Sequence, residues 1–285
     1  MGEIFVVRQS DLKLFSECAL KWKYQNIDGL RRTQSGATIF GSIIHDCVLQ
    51  LETGTPVETV VLEFCAMWDN PEAYNDKFED NMRIDYYLRA TNWKKYREEG
   101  IRIIRTWWDI IQWESDIVLA REHTFDVPIG DGHVLHGTAD KVALRYLPKA
   151  NTRAVLISDY KTGRKEPTYD YLNDDIQFTA YSYASTQPEF WAGIQNGAAL
   201  FEELADAPRS TEWVHLRTPK RKDAGEREQY HYNRLIMAVN EMARSVAAGI
   251  FVPTISGESC RYCEFREQCG LPELDEDGRP LEQAE

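Results

Sequence analysis

The chain lacks any apolar run near the roughly 18 positions that a membrane-spanning helix needs, although 43% of its 285 residues are hydrophobic. Its start, Met1-Gly2-Glu3-Ile4-Phe5, has neither the basic beginning nor the apolar centre of a secretion leader. Nor does Met-Gly run on into a myristoylation pattern. These absences predict a cytoplasmic protein with no membrane partner. There is no G-x-x-x-x-G-K-[ST] loop, which excludes a built-in nucleotide-driven motor, and no internal repeat. Positive charge is scarce. Against 46 acidic residues stand 33 Lys and Arg, for a net charge of −13. A protein that coats nucleic acid through a basic surface is thereby excluded, though not one with a local basic channel beside an acidic metal site. The short basic runs Arg31-Arg32, Lys94-Lys95 and Lys220-Arg221-Lys222 read as solvated faces. The length allows one large domain or two ordinary ones.

Cysteine is sparse but unevenly placed. Of the six, Cys18, Cys47 and Cys65 stand alone in sequence, whereas Cys260, Cys263 and Cys269 form C-x2-C-x5-C. In a reducing compartment such a cluster reads as metal ligands rather than disulfides. Thiolates select zinc or an iron–sulfur cluster. Three local ligands leave a tetrahedral site one short. Cys18, on a helix predicted from the Ser10 cap onward with Trp22 and Tyr24 fit to pack on a partner, is the natural fourth. That bond would clasp segments 10–30 and 253–270 around the intervening core.

The strongest chemical signal lies in Leu156-Ile157-Ser158-Asp159-Tyr160-Lys161. The run Ala154 to Ile157 reads as a buried strand, and in a strand Asp159 and Lys161 share a face. A second acid, Asp140, ends the strand-like run Val134-Leu135-His136-Gly137-Thr138-Ala139. If the two strands are neighbours, Asp140, Asp159 and Lys161 converge. Two carboxylates then hold a divalent cation, while the ammonium orients water and offsets developing negative charge, as cleavage of a phosphodiester requires. An isolated Asp-x-Lys is otherwise a surface pair.

In chain order, a helix over Gly36–Leu51 carries Ile44, Val48 and Leu51 on one face with His45 beside it. His45 reads either as a core histidine or as a ligand, and Gly41 permits close approach of another backbone. Thr53 to about Asp116 reads as a helical insertion dense in tryptophan, packed as a core rather than as stacking platforms for bases. Three strands follow, Ile117–Val127, Val134–Tyr146 and Ala154–Lys161. Asp131-Gly132 marks the first turn, and an antiparallel meander is predicted. A helix over Asp174–Ala184 puts Gln177 and Tyr181 on one face. The segment 188–207 is helical in character, Thr211–Arg217 is a strand, and Tyr230–Ile250 is a long amphipathic helix. Residues 271–285 form an acidic tail expected to be disordered. The order predicts an α/β fold, a mixed sheet with helices on its faces.

Taken together, these residues resemble the PD-(D/E)XK nuclease superfamily, and within it the RecB-like, AddB-like iron–sulfur exonucleases. That group includes the CRISPR-associated adaptation exonucleases and bacteriophage relatives. The resemblance runs from Cys18 to Cys269 and rests on Gly-Ser-Ile-Ile-His45, Gly-Thr-Ala-Asp140, Asp159-Tyr160-Lys161, Gln177-x3-Tyr181 and the four cysteines. Ala139 stands where the superfamily name has proline, a substitution that RecB-like members often show. The resemblance implies a restriction-endonuclease-like core over residues 1–270, with a helical insertion at about 53–116. It implies Mg²⁺ or Mn²⁺ held by His45, Asp140, Asp159 and the Tyr160 carbonyl, and Lys161 positioning the attacking water. Gln177 and Tyr181 would line the DNA path, and Cys18, Cys260, Cys263 and Cys269 would hold a structural [4Fe-4S] cluster in preference to zinc. The implied activity is a DNA exonuclease on single strands or duplex ends, in recombination, repair or spacer capture. The alternatives are a catalytically silent DNA-binding subunit and a zinc-stapled interaction protein.

Overall fold

The computed structural model describes residues 4–30, 36–70, 90–254, 257–261 and 263–269. The Arg31-Arg32 run and the acidic tail lie outside these. The elements are β1 (Val6–Arg8), α1 (Gln9–Glu17), α2 (Ala19–Asn26), α3 (Gly36–Glu52), α4 (Val57–Asp69), α5 (Ala90–Ile111), β2 (Ile117–Ile129), β3 (His133–Leu147) and β4 (Thr152–Lys161). They continue through α6 (Tyr169–Asp174), α7 (Ile176–Ser185), α8 (Pro188–Trp191), α9 (Gly197–Glu203), β5 (Arg209–His215), β6 (Lys220–Asp223), α10 (Gln229–Ala247), α11 (Gly257–Arg261) and α12 (Arg266–Cys269).

The meander is present. β2 pairs antiparallel with β3, and β3 with β4, so that Lys141 faces Ser158. The β2–β3 turn occupies Gly130-Asp131-Gly132, and both glycines hold positive φ, +60° and +89°, as a tight hairpin demands. Beyond the meander, β5 lies parallel to β4 and β6 antiparallel to β5, completing a six-stranded mixed sheet. The parallel step from β4 to β5 uses helices α6 to α9 as its crossover, as such connections require.

One edge of β3 is shared. Its first residues, Val134–His136, pair parallel with β1, and from Lys141 onward it pairs with β4. Among the described residues no strand bonds that edge between 137 and 140. The sheet therefore forks at the segment that ends in Asp140.

Two apolar layers cover the sheet. Strand residues Val155, Ile157 and Trp213 pack with Phe178, Tyr181, Phe190, Trp191, Leu235 and Val239 from α7, α8 and α10. On the other face Tyr160, Val214 and Leu216 pack with Ile43, Val48, Phe64, Trp68, Ile104 and Trp107 from α3, α4 and α5. The tryptophan-dense helices thus form the second layer, and Trp68 and Trp107 are core side chains. Alternation along β4 explains the division. Asp159 shares a face with Ile157, and Tyr160 turns to the opposite layer.

Two expectations are corrected, at Cys18 and at 220–222, and the helical reading of 188–207 is sharpened. The single helix predicted from Ser10 breaks at Cys18, whose extended backbone (φ −165°) separates α1 from α2 and whose sulfur accepts Lys21 N–H at 3.4 Å. The helical stretch 188–207 is two short helices, divided by Asn196 in the left-handed region at φ 58°. The Lys220-Arg221-Lys222 run is not a solvated face but edge strand β6. There Arg221 meets Glu114 at 2.9 Å and Glu212 at 3.1 Å, and both Lys220 and Lys222 pair with Glu166.

Candidate active site

The fork in the sheet opens a cavity of about 270 Å³ whose wall includes His45, Asp140, Asp159, Lys161, Gln177 and Tyr181. Six residues marked in the sequence therefore come from four elements to one place. Each arrives for a local reason. Asp140 ends the stretch of β3 that is bonded to β2 on one edge and to no described strand on the other, and Asp159 and Lys161 end β4 on one face. Gln177 and Tyr181 occupy successive turns of α7, whose start is capped by Asp175 accepting Gln177 N–H at 2.8 Å. His45 comes from α3, which lies close to the β4 exit because of Gly41. A Cβ on Gly41 would stand 2.9 Å from Thr162 Oγ1.

Side chains replace the missing strand pairing. The Tyr181 hydroxyl donates to the Thr138 carbonyl at 2.8 Å, and Tyr160 N–H donates to Asp140 Oδ2 in a short bond. Gln177 Nε2 donates to Asp159 Oδ1 at 2.7 Å and lies 2.9 Å from the Tyr181 hydroxyl. Asp159 Oδ2 meets Lys161 Nζ at 2.7 Å as an ion pair. Burial and the nearby Asp140 raise the Asp159 pKa against the pull of Lys161. The Lys161 pKa is also raised, because attraction to Asp159 outweighs its own desolvation. Lys161 therefore stays cationic beside Asp159.

Opposite the Asp159–Lys161 pair stands a second acidic group. His45 Nδ1 lies 3.4 Å from Asp140 Oδ1, and the ligand atoms of His45, Glu122 and Asp140 all fall within 4.8 Å of one another. Glu122 was not among the residues singled out. It sits on β2 in the left-handed region, φ 45°, in the middle of a strand, where a side-chain-bearing residue is uncommon. Burial and Asp140 push its carboxyl up to about 7. A usable signal was present in the sequence. Counting the hairpin outward from Asp131 puts Glu122 opposite Asp140, as the flanking pairs Arg121–Lys141 and His123–Ala139 show.

Such a group fits a divalent cation. Two crowded carboxylates, one with its pKa raised to about 7 by burial and then by its neighbour, gain from a cation between them, and carboxylate donors suit Mg²⁺ or Mn²⁺.

Tyr160 differs from the others. Its side chain points into the opposite layer, and its hydroxyl donates to Glu52 Oε1 at 2.8 Å. Glu52, at the end of the helix bearing His45, also accepts Trp107 Nε1 at 3.1 Å and Arg121 Nε at 2.9 Å. One buried carboxylate thus ties together α3, α5, β2 and β4 behind the site.

The four cysteines Cys18, Cys260, Cys263 and Cys269 line a separate cavity of about 130 Å³. Burial and the other three sulfurs raise the Cys269 thiol pKa. Among the described residues, however, the only ligand group drawn within 4.8 Å is the His45 one. The expected clasp is therefore not shown as a closed ligand set.

The chain matches the family described as the PD-(D/E)XK nuclease superfamily over residues 8–270. A crystal structure of the protein named "Putative exonuclease" from Eubacterium rectale is similar to it, with TM-score 0.49 and 14% identity, covering 94% of this chain and 89% of that one. No curated protein matches.

Proposed function

Since the chain belongs to the PD-(D/E)XK nuclease superfamily, we propose that it is a divalent-metal-dependent deoxyribonuclease, an exonuclease acting on single strands or duplex ends. Recombination, repair or spacer capture is the context such an activity serves. The observation that carries the reading is the joint placement of His45, Asp140, Asp159, Lys161, Gln177 and Tyr181 on one cavity at the sheet fork.

His45, Glu122, Asp140 and Asp159 would hold Mg²⁺ or Mn²⁺, which when bound supplies Lewis-acid polarisation of a phosphoryl oxygen. The Tyr160 carbonyl, the remaining expected ligand, belongs to the residue whose N–H fixes Asp140. Lys161 keeps its proton and offsets negative charge as it builds on the phosphorane. Gln177 holds Asp159 Oδ1, leaving Oδ2 directed at Lys161, while Tyr181 holds the Thr138 carbonyl beside them.

A structural [4Fe-4S] cluster on Cys18, Cys260, Cys263 and Cys269 belongs to the same proposal. What supports it is that all four cysteines line one cavity, and thiolates select zinc or an iron–sulfur cluster.

The test is digestion of 5′- and 3′-end-labelled single- and double-stranded DNA with each divalent metal, using the wild type and Lys161→Ala. Cleavage that needs metal and disappears in the variant is expected. Full activity in Lys161→Ala would overturn the catalytic assignment, and zinc without iron in anaerobically purified protein would overturn the cluster.

A further inference from the structure

Where α1 faces α6, an arrangement leads away from the catalytic cavity that none of the roles above uses. α1 begins in the cavity wall, with Arg8, Gln9 and Ser10 lining it. Lys13 follows four residues after Gln9 and therefore lies on the same side of the helix. Its ammonium donates to the Tyr171 hydroxyl at 2.7 Å and stands 5.4 Å from the centre of that ring. It also lies 4.0 Å from Asp175 Oδ2. Asp175 in turn caps α7 at Gln177, and Gln177 binds Asp159. A continuous line of contacts thus runs from the catalytic acid to an aromatic ring.

Packing does not account for that ring. Leu172 anchors α6 in the core at 1% exposure, whereas Tyr171 is 49% exposed. The outward side of α6 carries Asp170 and Asp174, both exposed, and a polyanion would be turned from them. The α1 side instead carries Lys13 against Tyr171, its charge offset in part by Asp175 and Glu17.

We propose that Tyr171 and Lys13 form a nucleotide subsite beside the catalytic cavity, with the ring stacking on an unpaired base and the ammonium taking the adjoining phosphate. The inference rests on the nuclease reading and narrows it to single-stranded substrate. A base inside a duplex already has both faces stacked, whereas an unpaired base offers one to an exposed aromatic ring. With a net charge of −13, the chain cannot gather DNA by its overall field. A cation against an aromatic ring, one helical turn from the cavity wall at Gln9, suits a grip on a few nucleotides.

The experiment is fluorescence anisotropy of the full chain in EDTA, with labelled oligothymidylate and a blunt duplex, over a salt series. Working without metal separates binding from cleavage. A wild type that binds but never cuts would sink the nuclease reading and leave the subsite standing. Tyr171→Ala should weaken oligothymidylate binding about tenfold and leave the duplex unaffected. Tyr171→Phe, which keeps the ring and loses the bond to Lys13, should bind like the wild type. Lys13→Ala should reduce the slope of log affinity against log salt by about 0.7. No binding of oligothymidylate by the wild type would overturn the proposal. So would equal losses on single strand and duplex in Tyr171→Ala, or a loss in Tyr171→Phe as large as that in Tyr171→Ala.

Discussion

Replacing Glu114 by Gln should destabilise the protein by about 3 kcal/mol at neutral pH, and two routes lead to that figure. Lys141 follows Asp140 on β3 but points to the other face, where its side chain is 2% exposed and its ammonium meets Glu114 Oε2 at 2.9 Å. Removing the carboxylate leaves a buried cation without its counter-charge, a change that typically costs 3–5 kcal/mol. The second route is the proton affinity of Glu114. Burial alone would raise its pKa, but Lys141 and Arg221 together bring it down from 4.5 to about 2. A difference of that size between folded and unfolded chain corresponds to roughly 3 kcal/mol. The sign follows from the depressed folded value. The contribution is complete above the unfolded pKa of the group and disappears as pH falls toward 2. Urea unfolding of wild type and Glu114→Gln should therefore differ by about 3 kcal/mol at pH 7, with the gap narrowing below pH ~4.5. Adding Lys141→Met to Glu114→Gln should recover much of the loss, since a neutral, apolar replacement no longer strands a charge. A gap under about 1 kcal/mol at pH 7, or one that stays constant into acid, would refute the reasoning.

Three further outcomes follow from the site. Gln177→Ala removes the bond that fixes Asp159 Oδ1. It should lower kcat for DNA cleavage between about ten- and a hundredfold, as loss of a buried bond to an ionised group does, with the melting temperature little changed. Glu122→Gln should raise the Mn²⁺ concentration for half-maximal cleavage about tenfold or more, read from a metal titration of initial rates. Tyr160→Phe deletes the hydroxyl that donates to Glu52 but retains the N–H that donates to Asp140. It should cost about 1 kcal/mol of stability in thermal unfolding and leave the rate near wild type.

Much of this was legible in the sequence, because the relevant signals are local. Alternation and the Asp131-Gly132 turn define β2, β3 and β4, and the spacing of Gln177 and Tyr181 places them on one face of α7. What stayed hidden depends on tertiary partners. β1 is only three residues long with a single buried side chain, too short to show a period. β6 reads Lys-Arg-Lys-Asp and looks like solvent-facing charge, because the acids that pair with it come from distant segments. Glu122 looks like any acid on an alternating strand unless the hairpin is counted out from Asp131, and its left-handed backbone shows only in the fold. The direction of the Tyr160 side chain was fixed by strand alternation, yet its partner Glu52 lies 108 residues away. The break at Cys18 has no proline or glycine to announce it.

The fork in β3 has a mechanical side. Thr138 and Asp140 sit where the edge has passed from one strand and has not yet reached the next, so single side-chain and N–H contacts hold them in place of a ladder. The stretch keeps its β2 ladder on the opposite edge, so losing those contacts would misplace Asp140 without opening the sheet. Lesions in Tyr181 or in the β4 end should therefore silence the protein long before they melt it, and a screen scored on expression or thermal resistance would pass straight over them.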